Sequence, residues 1–131
     1  MDVVAAPAIG GLIIGLEVAR ALGARFIFTE RENGKMVLRR GFSVAEGDTA
    51  VVVEDVVTTG GSSREVVEAL RAAGADVIAA GSIIDRSGGH VDLGVPRVAL
   101  CTLQAITYAP EGCPLCREGV PVTKPGSRPA A

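Results

Sequence analysis

The segment from Val51 to Ser63 constrains the fold of this sequence more than any other part of it. It opens as an apolar, β-branched run, continues with the adjacent acids Glu54 and Asp55, and ends in small and hydroxylated residues. Such a run is typical of a strand that is buried on both faces of a parallel sheet. Ser62 and Glu65 have the spacing of a capping box, which predicts a helix that is capped by Ser62. The segment therefore predicts a strand, a loop and a helix at the carboxyl edge of a sheet, where ligands bind.

The loop in this segment has the composition of a phosphate-binding site. Thr58, Thr59 and Ser62 offer hydroxyl donors, and Gly60 and Gly61 let the backbone approach an oxyanion closely. The N-terminus of the following helix adds about half a positive charge. The two preceding acids would repel a phosphate but suit the hydroxyl groups of a ribose. These residues indicate a sugar phosphate, and we disfavour a plain turn with surface acids because adjacent carboxylates after a Val run are costly to bury.

Residues 51–62 resemble the phosphoribosyl-pyrophosphate (PRPP) signature of the type I phosphoribosyltransferases, and residues 2–121 are similar to the orotate phosphoribosyltransferase family. The resemblance implies an α/β fold, with a parallel sheet flanked by helices over residues 1–109 and a Pro- and Gly-rich tail over residues 110–131. It also implies an enzyme that transfers the phosphoribosyl group of PRPP to orotate. The products would be orotidine 5′-phosphate and pyrophosphate, and Mg²⁺ would be the cofactor. A homodimer is implied by the resemblance alone.

The resemblance places three segments around PRPP. The Gly10-Gly11 turn, between a predicted strand and a predicted helix, corresponds to the pyrophosphate loop of the family. The predicted PRPP-binding residues are Ala8, Ile9, Gly10, Gly11, Arg31, Lys35, Glu54, Asp55, Val56, Val57, Thr58, Thr59, Gly60, Gly61 and Ser62. The predicted catalytic residues are Lys35, Glu54 and Asp55, of which the two acids hold the ribose hydroxyls. No residue is predicted to bind the metal directly, because PRPP itself would hold the Mg²⁺.

A charged hairpin is expected to supply the positive charge for the pyrophosphate leaving group. Asn33-Gly34 is a hairpin turn signal between two predicted strands. Four cations surround it in sequence: Arg31, Lys35, Arg39 and Arg40. Arg and Lys clamps stabilise leaving groups of this kind, and the resemblance matches Arg31 and Lys35 to an Arg and a catalytic Lys of a flexible family loop. A solvated surface hairpin is the alternative.

Asp85-Arg86 follows another predicted strand and lies again at the carboxyl edge of the sheet. A guanidinium can bind a carboxylate or a pair of pyrimidine carbonyls in a bidentate manner. By resemblance to the orotate enzyme, Arg86 and Thr58 are assigned to orotate. The alternative is an ion pair between Asp85 and Arg86 at a strand end.

Composition limits the other possibilities. The chain has 131 residues, a net charge of −2 and 48% hydrophobic residues, with 3% aromatic residues. Without a basic block, nucleic acid is not expected as a partner. The apolar stretch from Val3 to Leu16 is too short to span a membrane, and the N-terminus lacks the positive region of a secretory signal. We therefore expect no membrane partner and a cytoplasmic location.

Two local expectations concern packing and cysteine chemistry. Spacing predicts that Ile9, Leu12, Ile13 and Leu16 form the buried face of the first helix, which Gly23 would end.

Cys101 is expected in the core. Cys113 and Cys116 are expected to form a turn in the tail, with metal bridging between subunits as the lesser alternative. Residues 124–131 are expected to be disordered.

The family normally carries several tens of residues before the first strand, and these form a hood over the base. The sequence shows no such region, so we expect a complete PRPP site and only half of the base site. Two other functions stay open: a purine phosphoribosyltransferase of the adenine or xanthine type, and a non-catalytic core that binds PRPP, as a regulator would. The near-neutral charge gives a transcriptional regulator little support.

Overall fold

The computed structural model describes residues 1–121 as a mainly parallel α/β fold. Its strands are β1 (Val3–Pro7), β2 (Arg25–Glu32), β3 (Lys35–Leu38), β4 (Thr49–Val57), β5 (Asp76–Asp85) and β6 (Arg97–Thr102). Its helices are α1 (Gly11–Leu22), α2 (Gly61–Ala72) and α3 (Pro114–Arg117), with a 3-10 turn at Pro110–Gly112. The strands form a six-stranded sheet in the order β3-β2-β1-β4-β5-β6. The predicted α/β class, with a parallel sheet flanked by helices, is confirmed.

The two long helices cover opposite faces of this sheet. One cluster of buried residues joins α2 to the sheet and includes Val66, Val67 and Leu70 beside Ile27 and Val52. A second cluster joins α1 to the other face and includes Val4, Ala19 and Val53. β1 lies at the centre of the sheet between the two helical layers, and Val3 to Ala6 are completely buried. The uninterrupted apolar sequence of β1 is explained by this burial on both faces.

The predicted buried face of α1 is wrong. Its buried residues are the small ones at a spacing of four, Gly11, Gly15 and Ala19. Ile9 and Ile13 are instead 84% and 79% exposed. Gly15 explains the difference, because a Cβ atom there would lie 2.6 Å from Cε2 of Phe26. The helix therefore packs too closely on the sheet for larger side chains to face inward. Its end at Gly23, with φ at 64°, agrees with the prediction.

The predicted hairpin is confirmed. β2 and β3 are antiparallel, and their turn places Asn33 and Gly34 at φ angles of 50° and 83°. These two left-handed residues give the turn that matches the twist of a two-residue hairpin. β3 ends at Leu38, because Arg40 and Gly41 adopt positive φ and turn the chain away.

The chain beyond β6 is largely exposed. β6 is an edge strand, so Cys101, which was expected in the core, is exposed. Cys113 and Cys116 lie at α3, where the amide of Cys116 donates a hydrogen bond of 3.4 Å to Sγ of Cys113. The boundary between residues 109 and 110 stays a prediction, and the expected disorder of residues 124–131 lies outside the described residues. Within residues 1–121, no helix has the length and apolar character needed to cross a membrane.

Candidate functional site

The order of the strands changes direction between β1 and β4. From β1 the chain proceeds outward to β2, and from β4 it proceeds outward to β5 on the other side. Ligands of open parallel sheets bind at such a switch point, outside the carboxyl ends of the strands. The two glycine turns predicted to bind phosphate, Gly10-Gly11 and Gly60-Gly61, lie directly after these two strands. The topology therefore brings both predicted phosphate loops to the position where a ligand is expected.

A gap between β1 and β4 accommodates the first of these loops. The two strands pair only from Val3 to Ala5, opposite Ala50 to Val52, whereas β4 continues to Val57 in pairing with β5. The loop after β1 packs against the unpaired part of β4, since a Cβ atom on Gly11 would lie 3.1 Å from the carbonyl oxygen of Val53. Within this loop the Ala8–Ile9 peptide is cis.

Glu54 and Asp55 lie in the part of β4 that extends beyond its pairing with β1 and is paired with β5 alone. Their side chains face opposite sides of the sheet, as alternation along a strand requires. Glu54 accepts a hydrogen bond from the hydroxyl of Ser63, in the first turn of α2. Asp55 faces the other loop, because a Cβ atom on Gly10 would lie 2.6 Å from its Oδ2. Adjacent in sequence, the two acids thus each reach one of the two glycine turns.

The carboxyl of Glu54 has a raised pKa. Burial is the main cause, and the nearby charge of Asp55 acts in the same direction, while the hydrogen bond from Ser63 opposes both. The charged form is therefore partly desolvated in the folded protein. A partly dry carboxylate is a strong acceptor for hydroxyl donors such as those of a ribose.

The second glycine turn begins α2 without the predicted capping box. Gly60 occupies the N-cap position in the left-handed conformation, with φ at 74°, and no side chain caps the helix. Glu65 instead accepts a hydrogen bond of 3.0 Å from the backbone amide of Met36 and pairs with Arg31. The hairpin therefore competes successfully for the carboxylate that a capping box needs. The N-terminus of α2 has no side chain that occupies its amide groups.

Gly60 is also required by a close contact with the loop that follows β5. A Cβ atom at Gly60 would lie 2.4 Å from Cγ1 of Val91 and 2.9 Å from Cδ2 of Leu93. Positive φ and close packing both exclude larger residues here. This contact joins the predicted phosphate loop to the loop after β5, which begins at Arg86.

Thr58 and Arg86 line one polar cavity of about 250 Å³. The amide of Arg86 donates a 2.8 Å hydrogen bond to the carbonyl oxygen of Val57, which places Arg86 beside the start of the phosphate loop. The other lining residues are Thr59, Ser87, Gln104, Ala105 and Thr107. Gln104 and Thr107 were not predicted, although their place directly after a parallel strand was an available signal.

The alternative of an ion pair between Asp85 and Arg86 is wrong. Asp85 is completely buried and pairs with Arg97 at 2.6 Å. The hydroxyl of Ser87 is the main cause that lowers the pKa of Asp85 to about 2, and Arg97 adds to this, while burial opposes both. The side chain of Arg86 forms no hydrogen bond or ion pair with the residues that the structure describes. Its charge is therefore available to a ligand.

The cations of the hairpin are mostly paired with acids. Arg31 pairs with Glu65, and the other two pairs are Arg39 with Glu32 and Arg40 with Glu30. Lys35 lines a separate cavity of about 490 Å³ beside the middle of α2, together with Glu65 and Glu68. Neither Arg31 nor Lys35 lines the cavity of Thr58 and Arg86. Their assignment to pyrophosphate stays a prediction.

The oxygen ligands present fit a magnesium ion that arrives with its substrate. Among residues 1–121, no group of three His, Cys, Asp or Glu side chains could hold a metal alone. Mg²⁺ is commonly bound through one or two carboxylates together with substrate phosphates. Although the sequence predicted no direct metal ligand, Glu54 and Asp55, on the part of β4 that does not pair with β1, could supply that protein contribution.

Comparison with known proteins agrees with this geometry. Residues 1–107 match the phosphoribosyl transferase domain family. The chain is 59% identical over 128 residues to the orotate phosphoribosyltransferase of Pelotomaculum thermopropionicum, with 98% of this chain and 67% of the relative covered. It is 56% identical over 128 residues to the orotate phosphoribosyltransferase of Caldanaerobacter subterraneus subsp. tengcongensis, with the same coverage. The chain thus spans about two thirds of the length of these curated relatives.

Solved structures show the same fold. The orotate phosphoribosyltransferase of Aeropyrum pernix has a TM-score of 0.61 and 29% identity, over 78% of this chain and 60% of that chain. The adenine phosphoribosyltransferase of Rhodothermus marinus has a TM-score of 0.67 at 20% identity, over 79% of this chain and 70% of that chain. At 20% identity, the similarity to the adenine phosphoribosyltransferase shows a shared fold alone. Because its sequence matches curated orotate phosphoribosyltransferases over nearly its whole length, the chain belongs to the orotate phosphoribosyltransferase family.

Proposed function

We propose that this chain binds PRPP at the β1/β4 switch point and transfers its phosphoribosyl group to orotate. The products are orotidine 5′-phosphate and pyrophosphate, in the synthesis of pyrimidines. The observation that carries the proposal is the shared cavity of Thr58 and Arg86. The proposal is supported by a guanidinium without a partner among residues 1–121, which lines this cavity beside the loop proposed to bind the phosphate.

The 5′-phosphate of PRPP binds at the start of α2. The residues from Thr58 to Ser62 offer hydroxyl and amide donors, and Gly60 gives the loop its left-handed turn. The helix N-terminus adds favourable charge for an anion. The 5′-phosphate therefore anchors the ribose next to β4.

Glu54 and Asp55 hold the ribose hydroxyls. Both acids lie in the part of β4 that lacks pairing with β1, where a ligand can approach them. Loss of pyrophosphate leaves oxocarbenium character at the ribose, and fixed negative charge nearby stabilises that transition state. This accounts for a costly pair of acids in a strand.

Orotate binds to Arg86 and Thr58. Its carboxylate matches the bidentate geometry of a guanidinium. The base then lies at the carboxyl edge of β4 and β5, next to the ribose that Glu54 and Asp55 hold. Adenine has no carboxylate, so an Arg86 that has no partner among residues 1–121 favours orotate over adenine.

The leaving pyrophosphate binds at the turn from Ala8 to Gly11. The amides from Ile9 to Gly11 and the cations of the hairpin, Arg31 and Lys35, bind the leaving group. The amide of Ala8 already donates a 2.8 Å hydrogen bond to the carbonyl oxygen of Thr29. Mg²⁺ bound with PRPP neutralises part of the pyrophosphate charge when it is present. For Arg31 to take part, it must leave Glu65, to which it is paired at 3.0 Å.

The protein forms a homodimer in the cytoplasm in this proposal. Large apolar side chains on α1 and β6 are exposed, among them Ile13 and Leu100. An apolar surface of this kind favours association. The free thiols of the described residues are typical of a reducing compartment. Sedimentation of wild type and Ile13→Ser tests the dimer. We expect wild type to sediment as a dimer and Ile13→Ser as a monomer. Identical sedimentation of the two proteins would contradict a dimer through this surface.

Substrate assays and binding titrations test the proposal on the 131-residue chain. With Mg²⁺ and PRPP, we expect turnover of orotate and none of adenine or xanthine. Asp55→Asn should weaken PRPP binding, whereas Arg86→Ala should weaken orotate binding and spare PRPP. Arg117→Ala, at an exposed position in α3, is the control.

Three outcomes would contradict the proposal in different ways. Turnover of adenine or xanthine without orotate would show a purine enzyme. PRPP binding without consumption of any base would show a non-catalytic core. Equal loss of PRPP and orotate binding in Arg86→Ala would contradict the role of Arg86.

A further inference from the structure

A closed ring of hydrogen bonds holds the loop that carries Arg86. The ring starts at the buried carboxylate of Asp85, whose Oδ1 accepts hydrogen bonds from the amide and the hydroxyl of Ser87 at 2.7 and 2.6 Å. Its Oδ2 accepts a hydrogen bond of 2.6 Å from Nη1 of Arg97. One carboxylate thus joins the beginning of the loop to the neighbouring strand β6.

The far end of the loop closes the ring. Nε of Arg97 donates a hydrogen bond of 2.7 Å to the carbonyl oxygen of Val91. The hydroxyl oxygen of Ser87 accepts hydrogen bonds of 3.2 Å from the amides of His90 and Val91. Arg97 and Asp85 therefore fix both ends of residues 87–91.

Arg86 lies between this ring and two backbone contacts. Its amide donates to the carbonyl oxygen of Val57, and its own carbonyl oxygen accepts a longer hydrogen bond of 3.4 Å from Ala105. With the backbone held before and after it, the side chain of Arg86 is directed into the cavity of Thr58. Arg97 does not line that cavity, so it does not contact a ligand there, and its structural effect on the ligand passes through the ring.

We propose that Arg97 is a positioning residue, which orients Arg86 for orotate by pairing with Asp85 and holding the carbonyl of Val91. The inference rests on the proposed function of Arg86. Removal of Arg97 would leave the carboxylate of Asp85 buried without its cation, which is strongly unfavourable. Asp85 would then turn toward solvent or take up a proton, and its hold on Ser87 would weaken.

Kinetics of the Arg97→Met variant test this role. We expect the KM for orotate to rise on the order of tenfold, because small displacements of a binding group are costly. The KM for PRPP should change by less than roughly threefold, since the acids on β4 do not belong to the ring. Arg97→Lys keeps the charge and should restore part of the orotate affinity. Ser87→Ala gives a second test through hydrogen exchange if Arg97→Met folds poorly, because it removes one hydroxyl of the ring. Its effect on the orotate KM is not used alone, since Ser87 also lines the cavity.

Arg25→Met is the matched control. Arg25 also holds a loop through an ion pair and a carbonyl contact, with Asp48 at 2.9 Å and the carbonyl oxygen of Ser43 at 2.6 Å. It does so at the amino-terminal end of β2, at the opposite edge of the sheet. Arg25→Met should lower stability and leave both KM values unchanged.

Amide hydrogen exchange separates this inference from the proposed function. In Arg97→Met and Ser87→Ala, the amides of His90 and Val91 should exchange at least tenfold faster than in wild type. Unchanged exchange and an unchanged orotate KM in both variants would overturn the inference. Equal increases of the orotate and PRPP KM values would also overturn it, because they indicate a general structural role. If wild type turns over no orotate, the proposed function is wrong, and so is the role of Arg97 in positioning Arg86 for orotate. Faster amide exchange in Arg97→Met would still show that Arg97 holds the loop.

Discussion

Asp55 and Gly10 lie so close together that a methyl group on Gly10 would come within 2.6 Å of Oδ2 of Asp55. Gly10 has φ and ψ of −57° and −43°, which any residue can adopt. The glycine is therefore required by the carboxylate beside it and not by the backbone. This contact joins the two halves of the proposed PRPP site, the turn after β1 and the acids of β4.

The first prediction is that Gly10→Ala weakens PRPP binding while the protein stays folded. The new methyl group would displace the flexible carboxylate of Asp55 from its place beside the turn. We expect the Kd for PRPP with Mg²⁺ to rise by about tenfold, because the displaced acid no longer meets the ribose. Calorimetric titration would measure this change. Gly81→Ala is the control, since a Cβ atom there meets nothing within 4 Å, and equal affinities in the two variants would contradict the prediction.

The second prediction concerns the pairing of Arg31 with Glu65. If Arg31 binds pyrophosphate, Glu65 competes with pyrophosphate for Arg31. Glu65→Gln should therefore lower the KM for PRPP by about two- to threefold, which corresponds to the free energy of an exposed ion pair. The hairpin should also be cleaved faster by protease, because Glu65 holds the amide of Met36. Glu30→Gln, which releases Arg40 instead, is the control. An unchanged or higher KM for PRPP in Glu65→Gln would count against the role of Arg31.

The third prediction is a trade between stability and activity at Glu54. Its pKa is raised in the folded state, so the folded protein binds that proton more tightly than the unfolded chain does. The charged side chain therefore lowers stability at neutral pH, and this cost disappears in acid. Glu54→Gln should raise Tm by roughly 2–4 °C at pH 7 while it lowers turnover. Thermal unfolding at pH 7 and pH 4 tests this, with exposed Glu17→Gln as control, and a lower Tm at pH 7 would refute it.

The fourth prediction follows from the low pKa of Asp85, about 2 against an ordinary value of 3.8. A lowered pKa contributes stability that is fully present above pH 3.8 and is lost as the pH falls through 3.8 toward 2. Asp85→Asn should remove this part of the acid sensitivity. At neutral pH it should cost about 2 kcal/mol, less than a fully buried broken pair because the Arg97 side chain is 18% exposed.

Urea unfolding of wild type and Asp85→Asn from pH 7 down to pH 2.5 measures this difference. The two stability curves should converge as the pH falls. Asp76→Asn, at the exposed start of β5, is the control for a general effect of charge. Curves that remain parallel down to pH 2.5 would show that Asp85 does not titrate as proposed.

Local patterns predicted the elements that depend on neighbours in sequence. The Val run before Glu54 predicted a buried strand, Asn33-Gly34 predicted the hairpin, and Gly23 predicted the end of α1. Each of these depends on backbone preferences that a few adjacent residues express by themselves. The placement of Thr58 near Arg86 could also be anticipated, because carboxyl ends of neighbouring parallel strands share one edge of a sheet.

Interactions between distant segments could not be read in this way. Apolar spacing indicated an inward face for α1 with Ile13, but the inward face contains Gly15, since the helix lies against Phe26. The spacing of Ser62 and Glu65 satisfied a local rule, yet Glu65 bonds to the hairpin, 29 residues away at Met36. Asp85 stood next to Arg86 in sequence and pairs with Arg97 instead.

The order of residues along the chain was enough to predict the buried strand β4, the hairpin turn and the end of α1, and it led to the proposal of a sugar phosphate site. Burial and pairing across the sheet assigned each charge its partner: Asp55 to the Gly10 turn, Glu65 to Arg31 and Asp85 to Arg97. The reason is physical, because backbone preferences act over a few residues, whereas desolvation makes a buried charge depend on whichever group the folded chain brings beside it.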